Sequence, residues 1–92
     1  MYKIIDKRGS GKTSRLMLLA KEKNGILACA NPYAMREKAN AYGLTGFDIV
    51  SYLQLADEDF NPERKPVFID ELDTFLSYLG YNICGYTLTD ED

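Results

Sequence analysis

The sequence predicts an α/β fold: a mostly parallel, five-stranded sheet with helices on both faces, three layers in all. Three observations predict it. Short apolar runs alternate with helical patterns along the whole chain. The runs are apolar at consecutive positions, as in ILAC and PVFI, so both faces of each strand are expected to be buried. Glycine or proline marks most of the points where one pattern gives way to the next. The 92 residues read as one domain, 1–92, and 46% hydrophobic content suffices for a compact core.

Taken in order, residues 2–6 read as a short buried strand, broken by Gly9 and Gly11. From Lys12 a helical pattern places Leu16, Leu19 and Ala20 on one face and ends near Asn24 and Gly25. Residues 26–30 form a second apolar strand. Asn31 followed by Pro32 reads as an N-cap with proline in the first turn, and that helix stops at Gly43. Residues 47–51 are a third strand, followed by a short helix over 52–56. Residues 57–66, DEDFNPERKP, are a polar surface loop. A fourth strand covers 67–70, a helix covers 72–79 up to Gly80, a fifth strand covers 83–87, and 90–92 is an acidic tail.

Composition excludes several chemistries. There is no histidine, so a Ser-His-Asp triad, a Cys-His pair and a His-bearing zinc site are all ruled out. No apolar run approaches the ~20 residues of a membrane span, and MYKIIDKRG has no signal-peptide character, so a cytoplasmic protein without membrane contact is expected. Cys29 and Cys84 each sit in an apolar stretch and read as buried, reduced core thiols. Net charge is −3, which gives no whole-chain support for nucleic-acid binding. The basic residues are nonetheless concentrated at the N-terminal end, where Lys3, Lys7, Arg8, Lys12, Arg15, Lys21 and Lys23 face only Asp6 and Glu22. An anionic ligand is most plausible there.

Asp6-Lys7-Arg8-Gly9-Ser10-Gly11-Lys12-Thr13 resembles a Walker A P-loop, with Asp6 where that motif has its first glycine. A glycine-rich turn between strand and helix aims backbone N–H groups and a helix N-terminus at one spot. The nucleotide-binding residues would be Arg8, Gly9, Ser10, Gly11, Lys12, Thr13 and Ser14. Lys12 would carry charge to the outer phosphates, and Thr13 would offer its hydroxyl to Mg²⁺. The bland alternative is a glycine-rich turn that only caps a helix.

Pro66-Val67-Phe68-Ile69-Asp70-Glu71 resembles a Walker B motif. Carboxylates that emerge at the C-terminal end of a parallel strand lie on the rim where such sheets bind ligands. Asp70 would hold Mg²⁺, and Glu71 would polarise the attacking water; Glu71 and Lys12, the latter through its charge on the phosphates, would be the catalytic residues. The alternative role for the same acids is to favour the helix that follows.

Together the two motifs resemble the RecA-like P-loop NTPases, in particular the first domain of superfamily 1 helicases. ILACANPYAMREKA, FDIVSYLQLA and ICGYTLT follow the order of the segments after the P-loop in that domain, with Tyr86 and Thr89 where it carries a sensor Asp and Gln. The guanine-reading NKxD element of GTPases is absent. A weaker resemblance, carried by FIDELDTF and LTDED, is to RecA-like thymidine kinases. The resemblance implies Mg²⁺ and ATP as ligands and a weak or partner-dependent ATPase. The alternatives are a non-catalytic, nucleotide-dependent binding module and a small nucleoside or nucleotide kinase. Related domains bury ATP against a neighbour, which implies a homo-oligomer or a protein partner, with Arg8, Arg36 and Arg64 the first candidates for a cationic finger. Tyr33, Tyr42, Tyr52 and Tyr78 are available to stack on a base or to pack in the core or its rim.

Overall fold

In the computed structural model the described residues are 3–5, 11–57, 59–85 and 87. Four helices and three strands alternate: α1 (Lys12–Glu22), β1 (Ile26–Cys29), α2 (Pro32–Ala41), β2 (Asp48–Ser51), α3 (Tyr52–Leu55), β3 (Val67–Ile69) and α4 (Leu72–Tyr78). The strands form one sheet in the order β2-β1-β3, and both pairings are parallel. Leu27 lies opposite Ile49 on one side and Phe68 on the other.

Local chemistry sets the element ends. The Asn31 side chain accepts from the Ala34 N–H at 3.1 Å, and Pro32 occupies the first turn of α2, where a missing N–H costs nothing. Ser51 and Gln54 form a reciprocal capping box that turns the chain from β2 directly into α3.

The central strand β1 is buried at all four positions. Its side chains alternate between faces and build two cores. Leu27 and Cys29 join Met17 and Ala20 of α1, Met35 and Ala39 of α2, and Phe68. Ile26 and Ala28 join Val50 and Tyr52, with Leu55, Phe60, Ile69 and Phe75 packed against them. The continuous apolar pattern of ILAC is thus explained by burial on both sides. The edge strand β2 needs less apolar character: Asp48 is exposed and Val50 is buried.

The five-stranded, three-layer RecA-like core expected from the sequence is not what the chain builds. The described sheet has three strands. Of the expected first strand, residues 3–5 are not in a strand and Ile5 is 84% exposed, while Tyr2 and Asp6 lie outside the described residues. Of the expected fifth, residues 83–85 and 87 are not in a strand, and Tyr86 lies outside the described residues. The physical reason is visible after α4. The chain turns at Gly80 with φ +86 and runs through residues 81–85 fully on the surface. Tyr81 and Ile83 stay exposed there, and Gly85 offers no side chain to pack against β3. A short apolar run is not enough to join a sheet when its neighbour contributes only three residues.

The thiol expectation holds at one position and fails at the other: Cys29 is buried, but Cys84 is exposed. The surface course of residues 81–85 accounts for the difference. Among the described residues no helix is long and apolar enough to cross a membrane.

Candidate functional site

The site is assembled at the C-terminal rim of the sheet from the start of α1 and the end of β3. Gly11 is the N-cap of α1 with φ +84, a left-handed conformation that favours glycine. Among the described residues no side chain caps the helix there, and a helix start directs its first-turn N–H groups outward, toward an acceptor beyond the helix. The Ser14 hydroxyl turns back and donates to the Gly11 carbonyl at 2.9 Å. Arg8, Gly9 and Ser10 lie outside the described residues.

Asp70 continues the β1–β3 ladder one residue beyond the strand, its N–H donating to the Ala28 carbonyl at 2.9 Å. Its carboxylate meets α1: the Thr13 hydroxyl donates to Asp70 Oδ1 at 3.2 Å. One residue on, Glu71 Oε1 lies 3.3 Å from Lys12 Nζ. Two consecutive residues of the helix start therefore pair with two consecutive residues of the strand end. Burial raises the Asp70 carboxyl above its ordinary value, the Thr13 hydrogen bond opposes the rise, and the Glu71 charge adds to it. Lys38 and Lys12 pull the other way more weakly.

Glu71 adopts φ +57 and ψ +70, the left-handed region. For a residue with a Cβ this costs on the order of 1–3 kcal/mol and persists only where neighbours enforce it. Tyr52 is one such neighbour. It is 3% exposed, and its hydroxyl donates to the Asp70 carbonyl at 2.6 Å, with the Glu71 carbonyl at 3.4 Å. Its ring meets Phe75 edge-on at 5.3 Å between centroids and lies 5.9 Å from Tyr78. Burial first, then Asp70, Cys29, Glu71 and Asp73, push the Tyr52 hydroxyl up to about 12. Beside the acids a cavity of about 270 Å³ opens, lined in part by Asn31, Lys38, Tyr52, Asp70, Glu71 and Thr74.

A larger cavity, about 600 Å³, lies away from these groups near the start of β1 and along β2. Its walls carry the Lys65–Asp48 pair at 3.4 Å, and Arg36 donates to the Ile49 carbonyl at 3.1 Å. Among the described residues, none of those expected to bind nucleotide or metal or to be catalytic lines it.

Of the expected site residues, Gly11, Lys12, Thr13 and Ser14 stand at the start of α1, and Lys12 and Thr13 face Glu71 and Asp70. In the sequence Tyr52 is one aromatic among several; in the fold it is the core tyrosine under the acidic pair, while Tyr33, Tyr42 and Tyr78 are exposed. The signal that locates it is the Ser51–Gln54 capping box directly after an apolar run, which sets the first helical side chain at the sheet's C-terminal rim. Lys38 carried no sequence signal beyond its place on α2.

Among the described residues no group of three or more Cys, Asp or Glu side chains could enclose a metal ion. The Thr13 hydroxyl and Asp70 carboxylate are hard oxygen donors, and a small set of this kind suits Mg²⁺, which takes one or two protein oxygens and fills its shell with phosphate and water. Compared with known proteins, the chain matches no family model, no curated protein and no solved structure.

Proposed function

We propose that the chain binds a nucleoside triphosphate, ATP by the resemblance of its motifs, together with Mg²⁺, and acts as a weak or partner-dependent ATP hydrolase. The observation that carries this reading is the apposition of Lys12 and Thr13 with Glu71 and Asp70 at 3.3 and 3.2 Å. A helix start, a lysine and a hydroxyl meet two carboxylates on one rim. That is the set of groups needed to bind phosphate and a hard cation together.

In this reading Thr13 and Asp70 hold Mg²⁺, which neutralises phosphate charge when bound. The N–H groups at the start of α1 and the Lys12 ammonium take phosphate oxygens. The Lys12–Glu71 pair must open for this. Its side chains are 25% and 43% accessible, and an exposed pair of this kind is worth only about 0–1 kcal/mol. A triphosphate therefore outcompetes Glu71 for Lys12. Freed from Lys12, the Glu71 carboxylate orients a water and accepts its proton. The rim is open to solvent at Glu71, so turnover by one subunit is slow, and a cation from a second copy or a protein partner raises it.

The test is calorimetric titration of the purified protein with ATP, ADP and GTP, with and without Mg²⁺. Mg²⁺-dependent ATP binding is expected. Absence of heat with every nucleotide, in a protein with a cooperative unfolding transition, removes the reading.

A further inference from the structure

The peptide unit between Asp70 and Glu71 decides where both carboxylates point. Its carbonyl belongs to Asp70 and its N–H to Glu71. On the strand side, the Asp70 N–H is held by the Ala28 carbonyl at 2.9 Å. On the helix side, the Glu71 carbonyl accepts from the Phe75 N–H at 3.1 Å. Neither bond fixes the plane between them. Rotation of that plane would release Glu71 from φ +57, and its carboxylate would swing away from Lys12.

Among the described residues the group that holds the plane is the Tyr52 hydroxyl, which donates to the Asp70 carbonyl at 2.6 Å. The tyrosine is itself immobilised: it is the first residue of a capped helix, its ring is wedged against Phe75, and it is 3% exposed. We propose that Tyr52 is a positioning residue, its hydroxyl locking the Asp70–Glu71 peptide so that the two carboxylates stay aimed at Thr13 and Lys12. The inference rests on the reading of these residues as the Mg²⁺–nucleotide site. With its hydroxyl pushed up to about 12, mainly by burial, Tyr52 remains a donor throughout the working pH range.

The experiment compares wild type, Tyr52→Phe and Phe75→Leu. Tyr52→Phe removes the donor and leaves the ring packing; Phe75→Leu loosens the ring and leaves the donor. ATP affinity is measured by titration across a range of Mg²⁺ concentrations and in its absence. Tyr52→Phe is expected to raise the Mg²⁺ concentration needed for half-maximal binding about tenfold, the effect of losing one well-made hydrogen bond. Mg²⁺-free affinity should not fall, because a Glu71 released from Lys12 no longer competes with phosphate for it, and Phe75→Leu should leave the Mg²⁺ requirement near that of wild type. If Tyr52→Phe has the wild-type Mg²⁺ dependence, or if both variants lose affinity equally with and without Mg²⁺, the proposal is overturned.

A second measurement needs no nucleotide. In a Glu71→Gly background the left-handed backbone is unstrained, so losing the lock releases no strain, whereas with Glu71 present the relaxation of that strain returns part of the lost bond energy. Tyr52→Phe should therefore shift the denaturation midpoint further in the Glu71→Gly background than with Glu71 present. Equal shifts in the two backgrounds overturn the lock. Coupling in this cycle, with no Mg²⁺-ATP binding by wild type, leaves the lock standing and removes the nucleotide reading instead.

Discussion

Thr13 and Asp70 are 57 positions apart and share a hydrogen bond of 3.2 Å. The bond ties the first turn of α1 to the last residue of the β1–β3 ladder. Because Lys12 and Glu71 flank it and pair in turn, the contact is a double clasp between two chain segments rather than a single point. Each half of the clasp has a distinct chemistry, and the two halves are separable by substitution.

Lys12→Ala removes a side chain that packs in neither core. The fold should survive, with an unfolding free energy within about 0.5 kcal/mol of wild type, as expected for a surface substitution that breaks only a weak ion pair. ATP affinity should fall at least tenfold. Native circular dichroism with unchanged ATP affinity would remove Lys12 from the proposed phosphate site.

Glu71→Gln and Asp70→Asn should fail in different ways. The amide introduced by Glu71→Gln keeps the size of the side chain but cannot take a proton from water, so Mg²⁺-ATP binding is retained and turnover is lost. Asp70→Asn removes the charge that would face the metal, so binding weakens only when Mg²⁺ is present. Titration plus phosphate release on both variants distinguishes the two roles. Identical behaviour contradicts the division of labour between the acids.

Much of the arrangement is legible locally. GKT after a glycine turn, and two acids after VFI, announce a helix start and a strand end without tertiary information. The Asn31-Pro32 cap and the all-apolar ILAC run are equally local signals. Strand number is not of this kind. Ile83 and Cys84 have apolar side chains, but whether their segment pairs depends on the length and shape of the edge presented by β3, which no local pattern records. The left-handed Glu71 is also hidden. A glutamate after Asp normally signals a helix first turn, and its backbone is enforced here by a tyrosine from another element. The lock is a tertiary feature, and only the position of its tyrosine could have been guessed.

Gly25→Ala should be among the most damaging small substitutions. A Cβ at Gly25 would lie 2.6 Å from the Pro66 carbonyl oxygen and 2.9 Å from Phe68 Cε2. That oxygen cannot retreat freely, because it accepts from the Ile26 N–H at 2.8 Å and so holds β1 to β3. Overpacking of this kind costs about 1–3 kcal/mol. Gly43→Ala is the control: φ is +69, but no atom of the described residues lies within 4 Å, so only the backbone cost of about 1 kcal/mol applies. Denaturant unfolding of the pair should rank Gly25→Ala clearly below Gly43→Ala. The reverse order would mean that the close approach of β1 to the 57–66 loop is not maintained.

The thiols offer a probe of the central strand and of the surface segment after α4. Cys84 is exposed, whereas Cys29 is buried, donates weakly to the Val50 carbonyl at 3.7 Å, and has its thiol raised mainly by burial. Thiolate is the reactive form, so Cys29 is doubly protected. Under native conditions one equivalent of a thiol reagent should react, and the second should react only on unfolding. Rapid modification of both would contradict the burial of β1.

Asp70 links the site to stability through pH. Its folded carboxyl is raised above the ordinary 3.8, chiefly by burial. Below that ordinary value both folded and unfolded chains are protonated, and the group contributes no difference. As pH rises, the unfolded chain loses its proton first while the folded chain keeps it. The folded state then binds more protons, so stability falls until the folded carboxyl has also ionised. At neutral pH the charge on Asp70 is therefore a net cost to the fold. Asp70→Asn abolishes that cost, and an amide oxygen can still accept from Thr13. Its melting temperature should match wild type near pH ~3 and exceed it near pH ~7, the gap opening as pH rises through the carboxyl range. Saturating Mg²⁺-ATP should reverse the order at neutral pH, because wild type binds the metal-bound ligand more tightly and gains more stability from it. A gap that does not grow with pH would show that burial does not dominate at Asp70. A gap that grows but does not reverse with Mg²⁺-ATP would leave the burial argument intact and count against the metal role of this carboxylate.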